Sequence, residues 1–348
     1  MHLYTPLPQT KNKVNTYYPD YFEDFACLAG ACPDSCCKEW TVDIDPESAA
    51  LYRNLPGDLG EEIRSFLSEE DGSVIMTIQN GRCPMWREDG LCKIQAGLGH
   101  DALCKTCREF PRITHDYGDF VEYGLELSCP EAARLILAEL PDDLVCKKTE
   151  ETGAGEYDRG LMSILLKSRQ QALAYLKTSP YTPGQTLAIL LLYSHGVQGW
   201  IDGAEEPEFD PAQALKTAIT YAKNADVKGF FGLFKELEIL TPDWKIRLEQ
   251  GRADKQTALS LPLMGYFIQR YWLQAVADYD LVCRVKFGIA GCLLVSLLGG
   301  DLIQTAQQFS KEIENDSDNV EKILDSAYTS SALTDTNLLA LLLENAQQ

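Results

Sequence analysis

The chain has 348 residues, of which 45% are hydrophobic and 9% aromatic, and its 31 basic and 52 acidic side chains give a formal net charge of −21. A chain of this length can bury a core without disulfide support and is long enough for two domains. The negative charge argues against nucleic acid as a partner, because an acidic surface repels phosphate backbones. It favours basic partners or serves solubility alone.

Two stretches of the sequence bear on where the protein is located in the cell: its first residues and its longest apolar run. Residues 1–18 contain no apolar core of the kind that a secretory signal needs, so we expect a cytoplasmic protein. The first 20 residues or so predict an extended arm with little to pack against. The longest apolar run, Leu281–Leu298, contains Arg284 and Lys286 and predicts a buried core helix, not a membrane span.

Cysteines are concentrated near the start of the chain, where nine of the twelve fall within the first 129 residues. In a reducing compartment such an array indicates a metal or an iron–sulfur cluster more strongly than a set of disulfides. The four histidines, His2, His100, His115 and His195, have no ligand-like spacing to a cysteine pair. The clustered cysteines are Cys27, Cys32, Cys36, Cys37, Cys83, Cys92, Cys104, Cys107 and Cys129.

The first regular elements follow the densest part of this array. Residues 41–45 alternate as a short strand does, and Asp45 with Pro46 predicts a helix that runs to about Asn54. A second helix is predicted from Asp58 to about residue 67. Between residues 73 and 95 the signals favour strands, and the Asp89-Gly90 turn would bring Cys83 and Cys92 toward each other.

The remaining clustered cysteines also have informative neighbours. Cys104 and Cys107 have the Cys-x-x-Cys spacing, which lets two sulfurs face one ion or cluster but also occurs in redox motifs. Residues 120–127 alternate as a strand that leads to Cys129. With Pro130 after it, Cys129 is predicted to cap a helix to about residue 140, where the helix dipole favours its thiolate.

From about residue 158 onward the chain reads as helical. A cap followed by a first-turn proline recurs at Thr182-Pro183, Asp210-Pro211 and Thr241-Pro242, and we predict seven to nine helices to the end. Cys283 and Cys292 lie in the most apolar helix and are interpreted as inert core thiols. Cys146 lies beyond the array and is excluded from it as well.

These signals predict a mainly α fold with two domains. Residues 1–150 would form a cysteine-rich, metal- or cluster-binding domain with short strands, and residues 151–348 an all-helical domain. The glycines at 153–155 do not form a convincing loop for S-adenosylmethionine, because the polar residues before them are unlike the buried strand of a βαβ unit. They are interpreted as a loop between the domains.

A wider pattern of motifs resembles a known family. The pattern joins Cys-x4-Cys-x3-Cys-Cys at 27–37 to Cys83-Pro84, Leu91–Gln95, Cys107–Arg112 and Ser128–Arg134. Over about residues 17–140 it resembles the flagellin lysine-N-methylases, which belong to a larger group of bacterial proteins with a zinc- or iron-chelating cysteine domain. The helical remainder agrees only in general character.

The resemblance implies transfer of a methyl group from S-adenosylmethionine to lysines of flagellin, in a protein that carries a 4Fe-4S cluster. The cysteines that match the family are Cys27, Cys32, Cys36, Cys37, Cys83, Cys92, Cys107 and Cys129, whereas Cys104 lies outside the pattern. They would serve either two four-ligand sites or one cluster. Two other functions stay open: a protein in which zinc or a cluster only holds a small domain together, and a redox module.

Lysine methylation also needs a group that removes or displaces the proton of the amine, whose pKa is normally about 10.4. The sequence provides several carboxylates and phenols near the array, and none of them is assigned. They are Glu109, Glu122, Glu126, Tyr123 and Tyr21.

Overall fold

The computed structural model describes residues 12–70, 72–140, 144–151 and 156–345 of the chain. It is mainly helical, with 58% helix, as predicted. Within these residues every strand precedes the long helices. The strands are β1 (Asn12–Tyr18), β2 (Val42–Ile44), β3 (Leu67–Glu70), β4 (Ser73–Met76), β5 (Arg112–Asp116), β6 (Phe120–Leu125) and β7 (Val145–Glu151).

Among the described residues, five α-helices are interspersed with these strands. They are α1 (Pro46–Asn54), α2 (Gly57–Ser65), α3 (Lys93–Leu98), α4 (Lys105–Glu109) and α5 (Pro130–Ala138). Ten more α-helices follow in the described residues, one more than the upper limit predicted. They are α6 (Arg159–Thr178), α7 (Pro183–Ile201), α8 (Pro211–Tyr221), α9 (Val227–Lys235), α10 (Pro242–Gln250), α11 (Leu261–Tyr271), α12 (Val282–Leu298), α13 (Leu302–Phe309), α14 (Ser317–Thr329) and α15 (Asp335–Asn345).

The larger sheet has the strand order β5-β6-β1-β7. β1 pairs in parallel with β6 and antiparallel with β7, so it lies inside the sheet. The prediction of an arm with little to pack against was therefore wrong for Asn12–Tyr18, where Val14 and Tyr18 are buried. Backbone pairing on both sides decides this position, and sequence periodicity does not reveal such long-range pairing. Residues 1–11 of the predicted arm and residues 153–155 of the predicted loop lie outside the described residues.

The smaller sheet, with the order β2-β4-β3, packs with α1 and α2 around a core of its own. α1 has the predicted bounds, and the Asp45 carboxylate caps it by accepting a hydrogen bond from the backbone N–H of Ser48 (3.0 Å). The second helix ends at Ser65, earlier than predicted, because the chain turns there into β3. Strands were also predicted between β4 and residue 95, but the structure has only isolated β-bridges there, and α3 begins at Lys93.

Asp45 has a second role in this small unit. Its other carboxylate oxygen accepts a hydrogen bond from the backbone N–H of Lys105 (2.7 Å), which joins α1 to the start of α4. The hydrogen bonds from Lys105 and Ser48 lower the pKa of Asp45 to about 2. Stability from a carboxylate with a lowered pKa is present above its unfolded value of about 3.9 and is lost as the pH falls toward the folded value.

We expect Asp45→Ala to destabilise the protein by about 1–2 kcal/mol at neutral pH, because it removes a helix cap and a tie between two helices. Urea unfolding followed by circular dichroism measures the change. Asp45→Asn, which keeps one acceptor oxygen, should cost less. Equal stability of the alanine variant and the wild type at pH 7 would contradict this role.

A second, much larger core joins the helices to the main sheet. It includes buried side chains of β6 and α5, such as Leu125 and Ile136, together with most helices from α6 to α15. The caps predicted at Thr182, Asp210 and Thr241 all accept hydrogen bonds from backbone N–H groups, each with proline in the first turn. Every residue of α12 is buried.

Two charged side chains interrupt the apolar sequence of α12, and each forms an ion pair. Arg284 pairs with Asp278 (2.8 Å), and Lys286 pairs with Asp335 (2.9 Å). The predicted core helix is thus confirmed. Among the described residues, no helix is long and apolar enough to cross a membrane.

Candidate metal centre

Six cysteines line one cavity of about 90 Å³ next to the smaller sheet. We call it the six-cysteine pocket. Apolar side chains of the small core, including Tyr52, Met76 and Met85, form the rest of its wall. The cysteines come from three separate segments, so the fold gathers thiols that are up to 71 positions apart in the sequence. They are Cys36, Cys37, Cys83, Cys92, Cys104 and Cys107.

Local backbone contacts hold the first two segments together. The carbonyl of Cys37 accepts a hydrogen bond from the N–H of Cys83 (2.8 Å). The chain then turns at Gly90, whose φ of 80° favours glycine, and returns to place Cys92 at the start of α3. The predicted approach of Cys83 and Cys92 through the Asp89-Gly90 turn is confirmed, since both thiols line the pocket.

The third segment is α4 with the residue before it. Cys104 is the N-cap of α4 and Cys107 lies in its first turn. The Tyr52 hydroxyl donates to the carbonyl of Ala102 (2.7 Å), which fixes the approach to the helix. Cys104 lies outside the family pattern, yet it lines the pocket. Its Cys-x-x-Cys spacing to Cys107 was the sequence signal that indicated this.

Three further thiols form a second set, which we call the outer cysteine group: Cys27, Cys32 and Cys129. Burial raises the pKa of Cys129 to about 11, and repulsion from the thiolates of Cys32 and Cys27 adds to the rise. Burial likewise raises the pKa of Cys32, again with a contribution from Cys27. Cys129 is the N-cap of α5 with Pro130 in the first turn, as predicted.

Cys36 and Cys37 connect the two sets. A hydrogen bond between their thiols raises the pKa of Cys36 and lowers that of Cys37 to about 7. Cys36 also interacts electrostatically with Cys27 and Cys129 of the outer cysteine group and with Cys107 of the pocket, whereas Cys37 interacts with Cys83, Cys92 and Cys107. Cys36 therefore has neighbours in both sets.

A buried lysine ties this cysteine loop to the helical part of the chain. Lys311, in the π-turn that follows α13, is 5% exposed and contacts Asp34 (3.0 Å) and Glu39 (2.7 Å). Gln307 on α13 donates to Asp34 (3.1 Å) and to the carbonyl of Ser128 (2.8 Å). These contacts fix both ends of the segment that contains Cys36 and Cys37. Sequence reasoning missed them, because Lys311 lies more than 270 positions from Asp34 and Glu39 and gives no local signal.

All twelve cysteines are free thiols. As the side chains stand, no group of three or more histidine, cysteine, aspartate or glutamate side chains in the described part of the chain could hold a metal ion. Outside the array, Cys146 is exposed on β7, while Cys283 and Cys292 are buried in α12, as predicted for core thiols.

The candidate proton acceptors have different surroundings. Glu122 is buried and paired with Arg169 through two hydrogen bonds (2.8 and 2.5 Å), so it already has a cationic partner. Burial raises the pKa of Glu126, although Arg270 (4.0 Å) opposes the rise. Burial also raises the pKa of Tyr21 well above its usual value. The ring of Tyr123 stacks on Phe22 (5.8 Å between centroids), and Glu109 ends α4.

Three known proteins are similar to part of this chain. The flagellar biosynthetic protein FliU of Salmonella muenchen is 32% identical over 137 residues, which cover 36% of this chain and 77% of FliU. The lysine-N-methylases of Salmonella choleraesuis and Salmonella typhimurium are each 33% identical over 131 residues, which cover 36% of this chain but 32% of either relative.

The matched region thus spans about a third of the length of these two lysine-N-methylases. No family model matches the chain. No solved structure matches it either. The similarity to FliU covers more than two thirds of that relative, and the two methylases share the same level of identity. The chain therefore belongs to the flagellin lysine-N-methylase family.

Proposed function

We propose that this protein is a protein-lysine N-methyltransferase that transfers a methyl group from S-adenosylmethionine to flagellin and carries a thiolate-bound iron–sulfur cluster. The observation that carries the proposal is the similarity to relatives named lysine-N-methylase. The six-cysteine pocket supports the second part, because soft thiolate donors suit iron–sulfur clusters and zinc.

The cysteines present fit such a group in number and kind. The six-cysteine pocket offers more than the four thiolates that a 4Fe-4S cluster takes. The three thiols of the outer cysteine group together with Cys36 would make four for a second cluster, which would leave five in the pocket. The core around the pocket contains only a few buried side chains, and small cores of this kind commonly need a metal for stability. A bound group would cross-link the three cysteine-bearing segments.

The chemistry of the proposed transfer sets clear requirements. The lone pair of the lysine Nζ forms a bond to the methyl carbon while the bond from that carbon to sulfur breaks, and S-adenosylhomocysteine leaves. The nitrogen must enter the reaction as a neutral amine, so its proton has to be given up first. Glu122 is held by two hydrogen bonds from Arg169 and is the least available of the five candidate acceptors; none of the other four is assigned.

We expect purified protein incubated with flagellin and S-adenosylmethionine to add 14 Da, or multiples of it, to lysine-containing peptides, as measured by mass spectrometry. Protein without the methyl donor is the control. Unmodified flagellin after incubation with anaerobically prepared, metal-loaded protein would contradict the methyltransferase. Stoichiometric zinc without iron in that preparation would contradict the cluster.

A second candidate function is favoured by the small core around the pocket. In this alternative, zinc or iron bound by the same cysteines only holds the fold together, and the chain is a binding protein without methyltransferase activity. Metal-dependent stability combined with unmodified flagellin in the assay above would support it.

A further inference from the structure

Cys104 is a surplus thiol in the six-cysteine pocket. It lies outside the family pattern, to which the other five cysteines of the pocket belong. Cys104 is only 3% exposed, and its thiol lies within hydrogen-bonding reach of the Cys107 thiol. A spare thiol beside a candidate metal ligand can react with that ligand when no metal holds it.

The first turn of α4 sets the separation of these two residues. Cys104 is the N-cap and Cys107 follows three positions later, and the N–H of Arg108 donates to the carbonyl of Cys104 (2.9 Å), which closes the turn. Residues three apart in a helical turn have Cα atoms roughly 5 Å apart. Disulfides join Cα atoms that are about 4.4–6.8 Å apart, so the backbone of this turn suits a disulfide.

Two further contacts hold this turn against the rest of the small unit. The backbone N–H of Lys105 donates to the Asp45 carboxylate (2.7 Å), and the Thr106 hydroxyl donates to the carbonyl of Asp43 (3.1 Å). Both residues between the two cysteines are therefore fixed. The two consecutive cysteines of the pocket suit a disulfide less well, because neighbouring Cα atoms are only about 3.8 Å apart.

The two thiols differ in their access to solvent. Cys107 is exposed, whereas Cys104 is buried. A dissolved disulfide therefore reaches the sulfur of Cys107 first, and the buried sulfur of Cys104 is placed to attack the mixed disulfide that forms. In a reducing compartment, disulfides of this kind are transient and commonly respond to the redox state.

We propose that Cys104 and Cys107 form a reversible disulfide in the metal-free protein, and that the six-cysteine pocket binds metal more weakly until this bond is reduced. The oxidant is a small disulfide such as oxidised glutathione. The Cys107 sulfur bonds to one glutathione sulfur while the bond between the two glutathione sulfurs breaks, and Cys104 then displaces the second glutathione. Two electrons pass from the cysteine pair to oxidised glutathione, and the two thiol protons end on the two glutathione molecules that leave.

The disulfide would remove from the pocket both thiols that α4 and its N-cap contribute. The thiolate is the form that binds metal, so the oxidised pocket has fewer ligands and no longer joins α4 to the other two cysteine-bearing segments through the metal. Metal bound to Cys107 should in turn protect the pair, because the coordinated sulfur is less free to attack a small disulfide.

Treatment of the full-length, metal-free protein with oxidised glutathione tests the site. The remaining thiols are alkylated before digestion with trypsin, which cleaves after Lys105 and so separates the two cysteines. We expect peptides 94–105 and 106–108 to be joined, with a mass about 2 Da below their sum, and to separate on reduction with a phosphine. Alkylated Cys104 and Cys107, or a link from Cys107 to another cysteine, would overturn the inference.

Cys104→Ser separates the proposed reaction from a merely structural role. Without the second thiol, Cys107 should keep a bound glutathione, which mass spectrometry detects. The matched control is Cys146→Ser, because Cys146 is exposed on β7 outside the array, and this variant should form the linked peptides as the wild type does. A Cys104→Ser variant without glutathione on Cys107 would overturn the assigned roles of the two thiols.

Zinc titration of the oxidised and the reduced wild type tests the consequence for the pocket. We expect oxidation to weaken zinc binding at least about tenfold and the phosphine to restore it. Equal zinc binding by both forms would overturn the effect on metal. Linked peptides and weakened zinc binding in a protein that leaves flagellin unmodified would support the disulfide and count against the methyl transfer alone.

Discussion

Cys37→Ser is expected to lose most of the metal bound by the purified protein, and lysine methylation with it. Cys37 lines the six-cysteine pocket with Cys83, Cys92 and Cys107, and its carbonyl oxygen accepts a hydrogen bond from the N–H of Cys83 (2.8 Å). Serine keeps the volume but not the soft thiolate, so the affinity for metal should fall by about a hundredfold or more. Iron, zinc and labile sulfide measured on anaerobically purified protein give the result.

Cys36→Ser should also lose metal, since Cys36 lines the same pocket and faces the outer cysteine group. Cys283→Ser is the matched control. It should keep its metal, although the hydroxyl that it places in the apolar helix α12 should cost some stability. If Cys36→Ser and Cys37→Ser both keep full metal and full activity, the cysteine array is not the functional centre. Loss of metal with intact methylation would make the bound group structural.

The second large effect is expected from Lys311→Met. Lys311 is almost fully buried between Asp34 and Glu39, and its removal leaves two carboxylates without their shared cation. Breaking such a contact should destabilise the protein by about 3 kcal/mol. Because these carboxylates flank the adjacent cysteines, the variant should also lose metal more readily. Urea unfolding and metal analysis after dialysis against a chelator measure the two effects.

The exposed Lys322 on α14 provides the control, and Lys322→Met should change stability by less than about 0.5 kcal/mol.

The pH dependence of the protein's stability offers an independent check on Lys311. Burial alone would raise the pKa of Asp34, but the charge and hydrogen bond of Lys311 hold it below its usual value. The resulting stability is present above about pH 4 and is lost as the pH falls through the lowered pKa. Lys311→Met should lose this part of the acid sensitivity, and an unchanged acid profile would contradict the role.

Local signals predicted the helices well. Each cap with a first-turn proline began a helix, as at Asp45, Thr182 and Asp210, because both features act within one turn. The turn at Gly90 was predicted for the same reason. Signals of this kind depend only on neighbouring residues, so a sequence displays them fully.

Contacts between residues far apart in the sequence could not be predicted from local patterns. β1 lies inside the main sheet because β6 and β7, more than 100 residues later, pair with it. The approach of Cys104 to Cys37 and the contact of Lys311 with Asp34 depend on packing in the same way. The family pattern predicted most of the clustered cysteines, but it did not indicate which thiols become neighbours. The division of the chain near residue 150 stays a prediction.

The large core contains side chains from both sides of residue 150, and this limits which fragments of the protein can fold. Leu125, Leu127 and Ile136 belong to that core although they precede residue 150, and they pack with helices from the later half of the chain. A fragment that ends at residue 150 would expose these side chains to water and should aggregate on expression. The core around the six-cysteine pocket, by contrast, draws its buried side chains from residues 42–104. A truncation meant to isolate that pocket should therefore end before β5 begins at Arg112.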